Sequence, residues 1–294
     1  MISVRVPATS ANLGPGFDCF GVALSLYGTF SFEEIEGNLE FAGVPKKYCN
    51  EENLAVRAYF RALEEMRQPR RGLRLKIETE IPVSRGLGSS ASLIAAGVTA
   101  ANAAHGAPLD DKALLRLATE IEGHPDNVAP ALFGGLTVSQ TNPDGVRCFR
   151  FPVSEKVRLC ALIPDFELST EKARSVLPKS VGMADAVRNV GCGAILLQGL
   201  RTGDFDAISA GMDDRLHQPY RTGLIGGYAE NRAKALAYGA AGVCVSGAGP
   251  TMLCAYEDAA FEERIAAALD GHWRALPLKV DNAGAVCMEV RHEG

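Results

Sequence analysis

Apolar residues alternate with polar ones from the start of the chain: Ile2, Val4 and Val6 share one side of Ser3 to Thr9, which predicts a half-buried strand. Thr29 to Ile35 predicts a second strand, and the glycine-rich stretch between them, Asn12 to Gly21, predicts a loop. From Asn53 to Arg67, Leu54, Ala58, Leu63 and Met66 recur among Arg and Glu in the pattern of an amphipathic helix. Leu73 to Ile81 alternates again as a strand, and Pro82 ends it. After Gly86 the run from Leu87 to Val98 is small and apolar throughout and predicts a buried helix, so the local order is strand, glycine loop, helix. Asp110 opens another helix, with Leu114, Leu117, Ala118 and Ile121 at helical spacing, and Pro125 is expected to stop it.

Val157 to Ile163 is a nearly continuous apolar strand, followed by Pro164 and a polar segment from Asp165. This places a domain junction near 155–168 and divides the chain into 1–160 and 161–294. Helices are expected near 171–177, 183–199, 204–215 and 226–239. Strands follow at Gly242 to Val245 and Met252 to Tyr256, joined by Ser246-Gly-Ala-Gly-Pro-Thr251, then a helix at Phe261 to Leu269 and a strand at Gly284 to Val290. The sequence contains no internal repeat and no low-complexity tract.

At 294 residues the chain exceeds the comfortable range of one core, which favours two domains sharing a cleft. With 47% hydrophobic and 22% charged residues it has the balance of a globular protein rather than a disordered or fibrous one. A net charge of -5 gives no general attraction to nucleic acid or an anionic membrane, so neither is expected as a partner and a phosphorylated ligand needs a local site. The first residues lack a signal peptide's charged start and apolar core, and no apolar run approaches the roughly 20 residues of a membrane span, so a cytoplasmic location is expected. Eight cysteines occur without a CxxC pair and read as mostly buried thiols, not as a zinc site or a disulfide framework.

Gly86-Leu-Gly-Ser-Ser-Ala-Ser92 puts two glycines and several hydroxyls at a helix start, where free N–H groups and the helix dipole favour an anion. Taken alone it reads equally well as a glycine turn with serine caps. It is not a Walker loop, since no Gly-Lys-Ser/Thr follows, and no GxGxxG follows the first strand. The late cluster at 246–251 reads by itself as a hairpin turn. In the segment from Pro7 to Gly21, Asn12 and Asp18 are the polar groups able to reach a ligand or to form Asx turns. Glu122 and His124 read singly as a solvated helix-end carboxylate and a packed imidazole.

Together and in this order, the first loop, the Pro82 to Ser92 loop and the Ser-Gly-x-Gly-Pro-Thr loop resemble the three motifs of the GHMP small-molecule kinases, over essentially the whole chain. Within that superfamily, Pro7-Ala-Thr-Ser-Ala-Asn-Leu-Gly-Pro-Gly-Phe-Asp18 and His124-Pro-Asp-Asn-Val-Ala-Pro-Ala-Leu-Phe-Gly-Gly135 are similar to the homoserine kinases. The resemblance implies an α+β, two-domain GHMP kinase fold: an N-terminal ribosomal-protein-like α/β domain and a C-terminal ferredoxin-like domain. It also implies ATP-dependent phosphorylation of the L-homoserine hydroxyl to O-phospho-L-homoserine, a step of threonine biosynthesis, with ATP and Mg2+ and with a homodimer as the assembly.

Carried onto this chain, the resemblance has Pro82, Val83, Ser84, Arg85, Gly86, Leu87, Gly88, Ser89, Ser90, Ala91 and Ser92 wrap the triphosphate, and Ser90 and Glu122 hold magnesium, with Glu120 as competitor. Asp18 would accept the substrate ammonium, Asn12 would lie near the hydroxyl, and Arg174 and Arg221 would grip the carboxylate. The alternative for each arginine is a surface salt bridge. Thr170 is a minor candidate, either capping a helix or touching substrate. His124, Asp126 and Asn127 would line the reacting end; no lysine pairs with Asp126, so transition-state stabilisation is expected, with Asp126 or Asn127 orienting the hydroxyl. Two rival readings remain: a GHMP kinase for another alcohol, which would not need both arginines, and a non-catalytic nucleotide-binding protein, which would not need Ser90, Glu122 and Asp126 together.

Overall fold

The computed structural model describes residues 1–288. The elements run β1 (Ile2–Ala11), β2 (Phe20–Ile35), β3 (Glu40–Ala42), α1 (Leu54–Glu65), β4 (Gly72–Thr79), α2 (Ser89–Ala104), α3 (Asp111–Glu122), α4 (Pro125–Phe133), β5 (Leu136–Asn142), β6 (Gly145–Phe151) and β7 (Arg158–Pro164). They continue with α5 (Thr170–Ser175), α6 (Met183–Thr202), α7 (Phe205–Gly211), α8 (Gln218–Arg221), α9 (Tyr228–Ala237), β8 (Ala240–Val245), β9 (Met252–Tyr256), α10 (Ala260–Ala268), β10 (Trp273–Leu278) and β11 (Val286–Met288).

The first sheet has the order β11-β1-β2-β4-β3, with β5 beside β2 and β6 beyond β5. Strand β2 is 16 residues long and changes partner: Phe20 to Val22 pair with β5, and Gly28 to Ile35 pair with β4. Its first half is buried on both faces and therefore lacks the alternation that marks a strand in sequence, so it begins at Phe20 instead of Thr29. The second sheet is antiparallel throughout, in the order β10-β7-β9-β8. Taking its strands in chain order, this is the 4-1-3-2 arrangement of a ferredoxin-like domain. The chain thus forms two sheet-and-helix units, an α+β architecture of two domains as expected. Strand β7 straddles the expected division between 160 and 161, and β11 returns the chain to the first sheet beside β1.

Helix α2 carries apolar or small residues on nearly every face and packs between α1, α3, α4 and the first sheet. Gly97 allows α1 to come close: a Cβ there would lie 2.4 Å from the Ala55 carbonyl. A second core joins the domains, with Leu13, Val22, Leu24, Leu87 and Leu136 packed against Leu159, Ile163, Leu196 and Leu253. The apolar interface fixes the loops of one sheet against those of the other.

Three local expectations change. Gly123, at φ +92°, terminates α3, whereas Pro125 opens α4 at a position where the missing N–H costs nothing. Helix α4 and the β5–β6 hairpin had no clear periodic signal, α4 because it is short, mostly buried and carries Pro130 within it. Of the strand expected over 284–290, β11 occupies Val286–Met288, and Glu289 and Val290 lie outside the described residues.

Candidate active site

A cleft of about 500 Å³ lies between the two sheets, lined by the first loop, the 83–92 loop, the end of α3 with the start of α4, the start of α5, Arg221 and the 247–249 loop. In the first loop Asn12, Leu13 and Asp18 adopt φ of 69°, 44° and 55°. The Asn12 amide holds that turn: its Oδ1 accepts the Asp18 N–H at 2.9 Å and its Nδ2 donates to the Gly247 carbonyl at 2.8 Å. Asn12 lines the cleft, yet one of its side-chain bonds is spent on its own loop and another on the late glycine loop.

The phosphate-loop candidate reaches α2 through Gly86 and Gly88, at φ +72° and +71°. A Cβ on Gly88 would lie 1.9 Å from Thr9 Oγ1, and one on Gly86 would lie 2.3 Å from the Ser246 carbonyl. The Ser246 hydroxyl also bridges the Gly86 carbonyl (2.6 Å) and Ser10 Oγ (2.8 Å), so the late glycine loop buttresses the other two. Of the eleven residues, Val83, Ser84, Arg85, Gly86, Gly88, Ser89, Ser90 and Ser92 line the cleft. Leu87 and Ala91 turn into the two cores, and Pro82 is outside the lining, because a chain entering a helix shows one side to a ligand and the other to the protein. The Arg85 guanidinium bonds the carbonyls of Pro164 (3.2 Å) and Asp165 (2.8 Å), which ties this loop to the end of β7.

Ser90, in the first turn of α2, donates to Glu122 Oε2 at 2.5 Å. Burial raises the Glu122 pKa, while the Ser90 bond and the nearby His124 work in the opposite direction. Glu120, the alternative acid, instead bonds Arg61 and Arg116 on an exposed surface. Two hard oxygen donors in contact, one of them a carboxylate uncomfortable when buried bare, suit a small dication. His124 Nδ1 bonds Asp126 Oδ1, and Asp126 is almost fully buried. Burial would lower the imidazole pKa, but the Asp126 carboxylate and Glu122 raise it overall. Asn127 Oδ1 accepts the Thr9 hydroxyl at 2.8 Å, leaving its NH2 as donor only. Ligand atoms of Asp18, His124 and Asp126 lie within 4.8 Å of one another, but Asp18 is engaged by Arg174 and Asp126 by His124.

At another edge of the cleft Arg174 grips Asp18 with both terminal nitrogens, at 2.7 and 3.1 Å. Thr170 lines the cleft as the first residue of α5, and Ser169 is the cap, accepting the Lys172 N–H. Arg221 is buried; desolvation and then the charge of Arg174 lower its pKa to about 10, so it remains cationic at neutral pH. A cleft with a helix N-terminus at its centre, two cations and an acid at one end, and hard oxygen donors between them can align an anionic donor with a zwitterionic acceptor.

Profiles of the GHMP kinase N-terminal domain and of the GHMP kinase C-terminal domain match residues 53–135 and 196–275. Homoserine kinase from Clostridium botulinum (strain Okra / Type B1) is 46% identical over 97% of this chain and 98% of its own. The chain belongs to the homoserine kinase family. The crystal structure of homoserine kinase from Cytophaga hutchinsonii superposes with a TM-score of 0.86 at 29% identity, covering 98% of this chain and 97% of its own. The L. major mevalonate kinase, at 15% identity, shares the fold with a TM-score of 0.72, covering 95% of each chain.

Within this homoserine kinase framework the structure adds residues that sequence reasoning passed over. Thr9 looked like one more strand residue, although its hydroxyl meets both Asn127 and the Gly88 turn. Val44, Pro45, Leu54, Ile77 and Leu93 form an apolar end of the cleft, assembled from four separate stretches of chain with no shared motif. His217, buried beside Arg221, had a readable signal: Gln218-Pro219 directly after it marks the start of a short helix that ends at that arginine.

Proposed function

We propose that this protein is an ATP-dependent homoserine kinase, moving the γ-phosphoryl group of ATP to the side-chain hydroxyl of L-homoserine and yielding O-phospho-L-homoserine for threonine biosynthesis. The observation that carries the reading is the convergence of Arg174, Arg221 and Asp18 at one end of a cleft whose middle is the N-terminus of α2, in a chain so similar to homoserine kinases. An alcohol lacking a carboxylate has no use for two arginines there.

In this reading adenine occupies the apolar end formed by Val44, Pro45, Leu54, Ile77 and Leu93, and the triphosphate follows Gly86 to Ser90, where α2 presents unpaired N–H groups. Ser90 and Glu122 would hold Mg2+, which, when bound, neutralises phosphate charge. Arg221 and Arg174 bind the carboxylate and Asp18 the ammonium, which fixes the hydroxyl near Asp126 and Asn127. The Asn127 NH2 group donates and so stabilises developing negative charge, its Oδ1 being turned to the Thr9 hydroxyl, whereas the free Oδ2 of Asp126 can accept the hydroxyl proton as the phosphoryl group is transferred. His124 holds the other Asp126 oxygen and keeps the carboxylate oriented.

We further propose a homodimer working in the cytoplasm; no helix among the described residues is long and apolar enough to cross a membrane. The test is ADP release from Mg-ATP with L-homoserine, L-serine, L-threonine, mevalonate and galactose as acceptors. Homoserine should stand well above the blank; release with another alcohol and none with homoserine would overturn the assignment.

A further inference from the structure

Arg221 has five N–H groups, and three of them are already committed. Nε donates to the Ala173 carbonyl at 3.1 Å, and Nη1 donates to the Gly247 carbonyl at 3.1 Å and to His217 Nδ1 at 3.2 Å. Nη2 has no protein partner among the described residues, and Arg221 lines the cleft, so Nη2 is the part of the fork left for a ligand. Which way it faces is set by the three anchors, and only one of them is a side chain.

His217 has no exposed surface. Its Nε2 lies 2.8 Å from the Gly14 carbonyl, which can only accept, and its Nδ1 faces the guanidinium, which can only donate. These partners admit one form, the neutral imidazole with its proton on Nε2. Burial, together with the Arg221 charge, opposes protonation and agrees with that form, against the nearby Asp214 and Asp18. The ring is itself fixed: Asp214 accepts the backbone N–H groups of His217 (3.1 Å) and Gln218 (2.7 Å), and Phe17 stacks on the imidazole at 5.3 Å. Phe17 also lies under the guanidinium of Arg221, with its centroid 5.3 Å away. One histidine thus joins the arginine of the second domain to the first-loop turn that carries Asp18.

We propose that His217 is a positioning residue for acceptor binding, holding Arg221 and the Gly14 turn in the register that receives the substrate carboxylate; the assignment rests on the homoserine reading above. It touches no substrate and takes no proton. Its effect is felt through Arg221, on KM for the acceptor, and it leaves the ATP side alone.

The two ring nitrogens can be tested separately, because Asn places its amide where Nδ1 stands and Gln places its amide near Nε2. H217Q keeps a donor for Gly14 and removes the acceptor facing Arg221; it should raise KM for L-homoserine about tenfold or more while changing KM for ATP and kcat by less than about threefold. H217N returns an oxygen acceptor to Arg221 and should recover most of that loss. The penalty of H217Q should disappear with homoserinol, in which a hydroxymethyl group replaces the carboxylate. That ratio between two acceptors is insensitive to the fraction of variant that is folded. An unchanged homoserine KM in H217Q, or an equal penalty on both acceptors, would overturn the positioning role while leaving the kinase assignment intact. A wild-type protein that turns over no homoserine overturns the substrate reading and this one with it.

Discussion

Arg174 and Asp18 form a two-pronged ion pair, with Nη2 to Oδ1 at 2.7 Å and Nη1 to Oδ2 at 3.1 Å, between residues 156 positions apart and on different domains. Both belong to the end of the cleft proposed to take the acceptor. On that proposal a zwitterion entering there would replace one pair by two, its ammonium taking the place of Arg174 at Asp18 and its carboxylate that of Asp18 at Arg174.

The exchange makes binding depend on both charges of the ligand. D18N should raise KM for L-homoserine by about tenfold or more, since it removes a charge-assisted bond to the ammonium. A hydroxy acid without the amino group should lose less in D18N than homoserine does. Steady-state kinetics with both acceptors decides the matter: equal losses would mean that Asp18 shapes the loop and does not meet the ammonium.

Glu122 and Glu120 separate two readings of the metal-holding acid. E122Q should lower kcat by about a hundredfold or more, because phosphoryl transfer relies on charge neutralisation, and its activity should respond to magnesium at higher concentrations than the wild type needs. E120Q should stay close to wild type, since Glu120 is held on an exposed face by Arg61 and Arg116. A magnesium titration of activity for the two variants gives the answer; a normal E122Q would return the role to Glu120.

Gly88 should tolerate no side chain. Its left-handed backbone and the 1.9 Å approach of Thr9 Oγ1 to an added Cβ act together, so G88A should destabilise the protein by about 1–3 kcal/mol and raise KM for ATP. Urea unfolding and ATP kinetics on one preparation test it. The double variant with Thr9→Ala should regain part of the stability but not the part owed to φ, and full recovery would show that the backbone carries no strain.

Acid stability should carry the mark of His217. Its folded pKa lies below its unfolded value, chiefly through burial, so on acidification the unfolded chain takes up a proton that the folded chain refuses. The contribution is complete above about pH 6.5 and is lost as pH falls below it, at up to about 1.4 kcal/mol per pH unit. The charged groups facing the ring are Asp214, Arg221 and Asp18, and both acids partly offset the effect. Unfolding free energies between about pH 7.5 and 5.5 should fall less steeply in H217Q than in the wild type; parallel curves would show that the histidine titrates normally.

Much of this architecture is local in origin and therefore readable in one dimension. The 3.6-residue spacing of α1 and α3, the buried α2 after a glycine loop and the alternation of β1 and β4 each follow from the immediate chain. Strand β2 escaped in its first half because it is buried on both faces, and α4 because it is short, mostly buried and carries Pro130. The site was legible to the extent that its parts lie in contiguous motifs: Gly86, Gly88, Ser89 and Ser90 of one, Glu122, His124, Asp126 and Asn127 of the next, and Asn12 and Asp18 of the first loop line one cleft. Arg174 and Arg221 stood out only through family resemblance, since nothing near either distinguishes it from a surface arginine.

By itself, then, the sequence determined the chemistry available: a glycine turn that brings a helix N-terminus to an anion, hard oxygen donors, and cations for a carboxylate. Tertiary structure alone decided how those groups are spent. It set Arg174 on Asp18, turned Leu87 and Ala91 inward, drew Glu120 away to Arg61 and Arg116, and placed His217 behind Arg221. The physical reason is range: backbone conformation and side-chain periodicity depend on neighbours a few residues away, whereas a hydrogen bond between residues 156 or 203 positions apart exists only once two sheets have packed around a common core.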